Sequence, residues 1–160
     1  MTTIYVIGSL RNPAIPILGC RLRDAGFDVF DDWFAAGKIA DDEWQAYETT
    51  RGRNYAEALR GYASDHVFMF DHYHLERADI ALLALPAGKS GHLEFGFIRG
   101  RCKPGFVLFA GAPERWDQMY KFANGVAFSV DELLRCLAPW AGYTWQEGGI
   151  PNDFILGEGD

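Results

Sequence analysis

At 160 residues, 49% of them apolar and 23% charged, the chain has the length and composition of one globular domain with a buried core, which sets aside disordered and fibrous classes. A formal net charge of -7 argues against broad nucleic-acid binding, because phosphate-backbone contact needs a basic face. Three widely spaced cysteines, Cys20, Cys102 and Cys136, give neither a disulfide framework nor a zinc site and fit a reducing compartment.

The elements follow in chain order. Residues 3–8 (TIYVIG) are β-rich and closed by Gly-Ser, the pattern of a buried strand. Asn12-Pro13 then caps a helix in which Ile15, Leu18, Leu22 and Ala25 recur at helical spacing before Gly26 ends it. Residues 27–30 form a second strand, followed by a polar and aromatic loop from Asp31 to Ala40. A helical stretch starts at Asp41, carries Trp44, Tyr47, Tyr55 and Leu59, and is expected to bend or break near Gly52.

Residues 65–78 read as a further helix, and IALLAL (80–85) is the clearest strand in the chain. A helix over 91–101 and a strand over 105–110 follow. Ser129 and Glu132 then make a capping box for a helix over 130–137. The expected domain spans 1–140, with 141–160 as an extended tail rich in glycine.

Alternating strands and helices at these spacings predict a single-domain, three-layer α/β fold of the flavodoxin/Rossmann-like kind, a parallel sheet with helices on both faces. Ligands bind such sheets beyond the carboxyl ends of the strands. That rule directs attention to Gly8–Arg11, to Asp31–Trp33 and to Pro86–Glu94. The N-terminus lacks a basic n-region and no stretch reaches a membrane span, so a cytoplasmic protein without membrane contact is expected.

The stretch from Asp79 to Gly96 is the most informative. An apolar strand enters a Gly/Ser loop (Gly88, Ser90, Gly91), which opens a helix with Glu94 in its expected first turn. Loop amides and a helix N-terminus hold anions, and Ser90 adds a hydroxyl. Glu94 has two readings here: a reactive carboxylate, or an acid that merely complements the helix dipole. Arg11 is either a solvated cation or, with Ser9 and Ser90, a phosphate contact. Eleven of the fifteen cations are Arg, the residue better suited to bidentate anion contact. Asp32-Trp33-Phe34 is either an aromatic platform for a base or a hydrophobic lid. His66, His72 and His74 lack metal-ligand spacing, and no Gly-rich dinucleotide or P-loop pattern occurs, so neither metal nor cofactor is expected.

This stretch resembles the active-site segment of the nucleoside 2-deoxyribosyltransferase family, where a Glu followed by a hydrophobic residue and Gly lies in the helix after the central strand. The resemblance implies that Glu94 attacks C1′ of the sugar and that Tyr5, in the first strand, supports it. Gly8-Ser9-Leu10-Arg11 is closer to the branch that hydrolyses nucleoside 5′-monophosphates, where a similar turn helps bind the phosphate. Asp71 and Asp79 resemble the family's aspartates around the central strand. One position departs: the family's transferases place an acid six residues before the nucleophile, and Gly88 stands there. The general acid is left among Asp79, His92, Asp32 and Asp71.

The implied partner is a small nucleoside or nucleoside monophosphate, taken in contact with Gly8, Ser9, Arg11, Asp32, Trp33, Asp71, Gly88, Ser90, Gly91 and His92. The implied assembly is a homodimer or a dimer of dimers, with the aromatic face of 44–59 as the expected interface.

Overall fold

The computed structural model describes residues 1–147. Its parallel sheet contains β1 (Thr3–Ile7), β2 (Asp28–Phe30), β3 (Ile80–Ala84), β4 (Gly105–Leu108) and β5 (Gly125–Ala127), in the spatial order β2-β1-β3-β4-β5. Tyr5 pairs with both Phe30 and Ala81, Leu82 with Phe106, and Val107 with Val126. The central strands are apolar throughout because both their faces are covered.

Strand pleating sends alternate residues to opposite faces. Ile4, Val6, Ile80, Leu82 and Ala84 meet one core, built with Ile15, Leu18 and Leu22 of α1 (Ile15–Asp24) and Leu133 and Leu137 of α6 (Val130–Leu137). Tyr5, Ile7, Ala81 and Leu83 meet the other, with Leu75 of α4 (Tyr62–Arg77) and Phe95 and Ile98 of α5 (Lys89–Gly100). This is the three-layer α/β fold expected from the sequence. Among the described residues, no helix is long and apolar enough to cross a membrane.

Between β2 and β3 the chain makes an excursion through a 3-10 turn (Asp32–Ala36), α2 (Ala40–Thr50) and α3 (Tyr55–Ala58). The break expected near Gly52 is there, with that residue at φ 72°, a conformation that favours glycine. Asn54 and Glu57 then form a reciprocal capping box that opens α3. The box at Ser129 and Glu132 is shifted by one residue on its return arm. Ser129 Oγ accepts from Glu132 N at 3.2 Å, while the Glu132 carboxylate takes Phe128 N at 2.6 Å.

Two expectations need correction. Strand β5 was not foreseen, because three residues with a glycine among them carry no readable alternation. Helix α5 begins at Lys89, two residues before the expected start, with extended Gly88 as its N-cap. Glu94 therefore lies in the second turn, where the helix-dipole contribution has faded. The reading of Glu94 as a dipole-complementing acid loses its basis.

The start of the tail packs across the amino end of the sheet. Thr2 Oγ1 donates to Trp140 O at 3.0 Å, Trp145 N donates to Asp79 Oδ1 at 2.9 Å, and Lys103 Nζ stands 4.4 Å from the Trp145 ring centroid. The rest of the expected tail, 148–160, lies outside the described residues.

Candidate active site

The order β2-β1-β3 makes the sheet's switch point the gap between β1 and β3, and crevices at such points bind ligands beyond the carboxyl ends. The pair Ile7↔Leu83 closes the ladder there, so the loops that follow the two strands are neighbours. Small residues make the fit. A Cβ on Gly8 would lie 2.6 Å from Ile15 Cδ1 and 3.5 Å from Ala84 O, and one on Gly91 would lie 3.1 Å from Ile7 Cγ2. Both glycines thus allow helices to approach the strand ends closely.

Three ionisable side chains converge under this crevice. Glu94 comes from α5, Asp71 from α4 and Tyr5 from β1. Burial pushes the Glu94 carboxyl from its usual range to about 7, and the neighbouring Asp71 adds to the rise. Burial also raises Asp71, with His74 pulling in the opposite direction. The Tyr5 phenol, only 1% exposed, is held well above its usual range by burial, then by Glu94 and Asp71. The negative charge of Asp71 thus opposes ionisation of Glu94, and two carboxyls that share one proton offer one carboxylate and one carboxylic acid.

The residues expected to hold an anion lie at the crevice rim. Ser9 Oγ accepts from Arg11 N at 3.1 Å, which folds the turn after β1 on itself. Arg11 extends into solvent and pairs with Asp42 at the start of α2, 3.3 Å away. Gly88 caps α5 without a side-chain hydrogen bond, and Ser90 is exposed in the first turn. Ser9, Arg11, Gly88, Ser90 and Gly91 thus belong to adjoining loops at one sheet end.

Several expected site residues are not brought to Glu94. Asp79 precedes β3 and sits at the opposite, amino end of the sheet, where its carboxylate accepts from Thr3 N at 2.8 Å and from Trp145 N. It is a structural acid, and Trp145 is held there with it rather than over the crevice. His92 lies two residues from Glu94 on the same helix, about 200° around it. Its ring faces Gly88 O at 2.8 Å and Tyr120 OH at 3.0 Å instead.

A cavity of about 520 Å³ opens on that flank of α5, between Phe95 and Tyr120, and Glu94 is not in its lining. Asp32 is exposed at the outer edge of the sheet, after β2. Trp33 is pinned: its indole N–H donates to Val6 O at 2.7 Å while the ring packs between both cores. It is a fixed wall, not a mobile cover.

The structure adds neighbours that sequence reasoning missed. His74, to which the sequence assigned no role, stacks on Phe30 with ring centroids 4.0 Å apart, and Phe30 packs on Tyr5 at 5.0 Å. The signal available was its place three residues after Asp71, on the same helix face. Among the described residues, no cluster of His, Cys, Asp and Glu suited to a metal ion is present.

No family model matches the chain, and no curated protein matches it in sequence. Solved structures do match. One is a 2-deoxyribosyltransferase from Bacillus psychrosaccharolyticus, 17% identical, with a TM-score of 0.57 over 83% of this chain and 90% of that one. Another is a conserved protein from Enterococcus faecalis V583, 15% identical, with a TM-score of 0.62 over 88% of this chain and 99% of the other. The chain therefore has the fold of a 2-deoxyribosyltransferase.

Proposed function

We propose that this chain cleaves the N-glycosidic bond of a nucleoside or nucleoside 5′-monophosphate, with Glu94 as the nucleophile. The observation that supports the reading is the half-buried Glu94–Asp71 pair, both acting on Tyr5, at the switch point of a sheet with this fold. The ionised Glu94 attacks C1′ as the C1′–N bond breaks. The departing base takes a proton from Asp71 in the form of the pair that carries its proton on Asp71 and leaves Glu94 ionised, and Asp71 so fills the role of the acid absent at Gly88. An oxocarbenium-like transition state gains from an adjacent carboxylate, as in retaining glycosidases. Tyr5 lines the floor beside Glu94, and its phenol stays protonated and able to donate.

The covalent glycosyl–Glu94 intermediate then meets an acceptor. In the leading form a second nucleobase takes C1′ and the sugar is transferred, as in the named activity of the structural neighbour. The second form is hydrolysis of a 5′-monophosphate, and it is favoured by the adjoining Ser9, Arg11 and Ser90 at the anion-accepting end of α5. Of the aromatic pair after β2, Trp33 is pinned by its indole N–H and Phe34 packs edge-on against it at 5.9 Å.

The test supplies a deoxynucleoside or its monophosphate with a second free base and follows products by chromatography. New nucleoside in excess of free sugar supports transfer. Free sugar or sugar phosphate, unaffected by the added base, supports hydrolysis. Neither product from any nucleoside or monophosphate overturns the reading.

The site is proposed to work in a homodimer or a dimer of dimers. The expected aromatic stretch 44–59 exposes Tyr47, Tyr55 and Leu59 for this, and α4 with α5 adds a second apolar surface at Phe68, Met69, Tyr73 and Leu93. A monomeric mass by light scattering at micromolar concentration refutes the assembly.

A further inference from the structure

The cavity on the flank of α5 has a shape and a chemistry of its own. His92, Gly96 and Gly100 line it at i, i+4 and i+8, so one face of the helix forms a wall about 12 Å long. Neither glycine stands at positive φ, and a Cβ on either would meet nothing within 4 Å among the described residues. Glycine weakens a helix, and here neither a turn nor a close contact with the rest of the fold requires it. What the two glycines leave is bare backbone along the wall, against which a flat ring can lie.

The remaining surfaces are apolar, with few polar groups. Leu83 and Phe95 form the floor, and Met119 and Phe122 of the second 3-10 turn (Gln118–Phe122) stand opposite, 62% and 64% exposed. Arg99 is held against the fold by Nε, which donates to Phe122 O at 2.7 Å, and by a terminal nitrogen that donates to Lys103 O. Asp117 Oδ1 accepts from Met119 N at 2.8 Å. At the end near Gly88, the contact between His92 and Tyr120 ties α5 to the turn. Gly88 O only accepts, so the His92 Nδ1 that faces it carries a hydrogen. In the neutral imidazole Nε2 is then an acceptor and takes the Tyr120 O–H, which leaves Tyr120 Oη with lone pairs and no proton to give.

We propose that this cavity is a second binding site, separate from the crevice, for a flat bicyclic aromatic molecule whose edge carries an N–H donor. Its volume of about 520 Å³ falls within the range of small-molecule sites. The ring lies along Gly96 and Gly100, between Phe95 and Phe122, and its N–H donates to Tyr120 Oη. Glu94 is not in the lining, so the site does not depend on the N-glycosidic reading.

Indole and 1-methylindole are the probes, because they share a ring system and differ in the donor. The full chain is titrated at pH 8, where an imidazole is neutral, and followed by ¹H–¹⁵N and methionine-methyl NMR. Indole should shift the signals of 92–102 and 117–122 and leave those of 8–11 in place. 1-Methylindole should bind about 2- to 10-fold more weakly, the share of one neutral hydrogen bond. Tyr120→Phe should erase that difference. Gly100→Leu, which fills part of the wall, should abolish the shifts. If it does not fold, Met119→Glu is titrated in its place and should weaken both probes.

The proposal is overturned if indole shifts nothing, or shifts 8–11 in place of the cavity residues. It is overturned equally if the parent protein binds both probes alike, if their difference persists in Tyr120→Phe, or if the wall variant binds as the parent does.

Discussion

The two ends of the same sheet treat buried polar groups in opposite ways. At the amino end, the Asp79 carboxylate accepts from two backbone amides, and Lys103 Nζ donates to Ala78 O at 2.7 Å and also to Glu76 O. The Asp79 carboxylate and the Lys103 ammonium there take their partners from main chain, so these two groups close the structure. At the carboxyl end, Glu94 and Asp71 are half-buried and interact with each other, and both carboxyls are pushed upward. Partial burial of a carboxyl costs free energy in its ionised form, and carboxyls shifted in this way cluster at functional sites. The contrast teaches that an aspartate's neighbours, more than its presence near the central strand, decide its role.

The sharpest way to break this comparison is at Glu94. Glu94→Ala should lower turnover by orders of magnitude, roughly the 10³-fold or more that follows loss of a nucleophile. It should leave the circular-dichroism spectrum unchanged. Near-parental turnover would end the covalent proposal.

Asp71→Asn comes next. Loss of a general acid lowers rate by about 10²–10⁴-fold. It carries a second signature, because Asp71 contributes to the raised Glu94 value. Removing that negative charge should slide the acid limb of kcat/KM from about 7 to lower pH, while burial keeps it above the ordinary Glu range. A slower enzyme with an unmoved limb would mean Asp71 and Glu94 do not interact.

At the opposite end, Asp79→Ala should reduce stability by roughly 1–3 kcal/mol, the penalty for leaving buried donors unpaired. Turnover per folded molecule should stay near that of the parent. A folded but inactive Asp79→Ala protein would return Asp79 to the catalytic set. A related stability test isolates Glu94. Its folded-state value is raised, so ionisation is harder in the folded protein than in the unfolded chain. Stability is therefore lost as pH rises from the unfolded Glu range toward about 7. Glu94→Gln should remove that dependence and melt higher than the parent at pH 8, with little difference at pH 4. Equal melting temperatures at pH 8 would show that Glu94 carries no burial penalty.

Much of the fold was legible because the strands are apolar on both faces and the helices repeat at their own period. Strand β5 was not, since three residues cannot display a period. In the candidate site, the Gly/Ser loop left Glu94 with two readings and only the family resemblance singled it out, while Gly8 and Gly91 were legible from their place beside strand ends. The misassignment of Asp79 was avoidable in physical terms. A residue just before a strand of a parallel sheet lies at the amino end, away from the crevice. His92 was misjudged through helical phase, because two residues on a helix point to nearly opposite sides. The surroundings of His74 were beyond sequence, since they depend on α4 lying over β2 and bringing Phe30 beneath the ring.

The smallest expected effect concerns Arg11, and it bears on which substrate the crevice rim serves. In the structure its guanidinium is paired with Asp42, both side chains well exposed at 70% and 63%. An exposed pair of this kind contributes about 0–1 kcal/mol. A 5′-phosphate carries more charge and more acceptor oxygens than a carboxylate, and can take Arg11 from Asp42 at little expense. A hydrogen bond to a charged group contributes about 1.5–3 kcal/mol, so the exchange should leave a net preference of roughly 1–2 kcal/mol. Arg11→Ala should therefore weaken a 5′-monophosphate about 5- to 30-fold and its nucleoside hardly at all. Asp42→Asn should act in the opposite sense, tightening the monophosphate a few-fold by leaving Arg11 unpaired. Calorimetric titration of both ligands against both variants decides it. Equal losses for nucleoside and monophosphate would assign Arg11 to the fold of the first loop. A monophosphate-selective loss, mirrored by the gain at Asp42, would show that the rim at the carboxyl end reads phosphate.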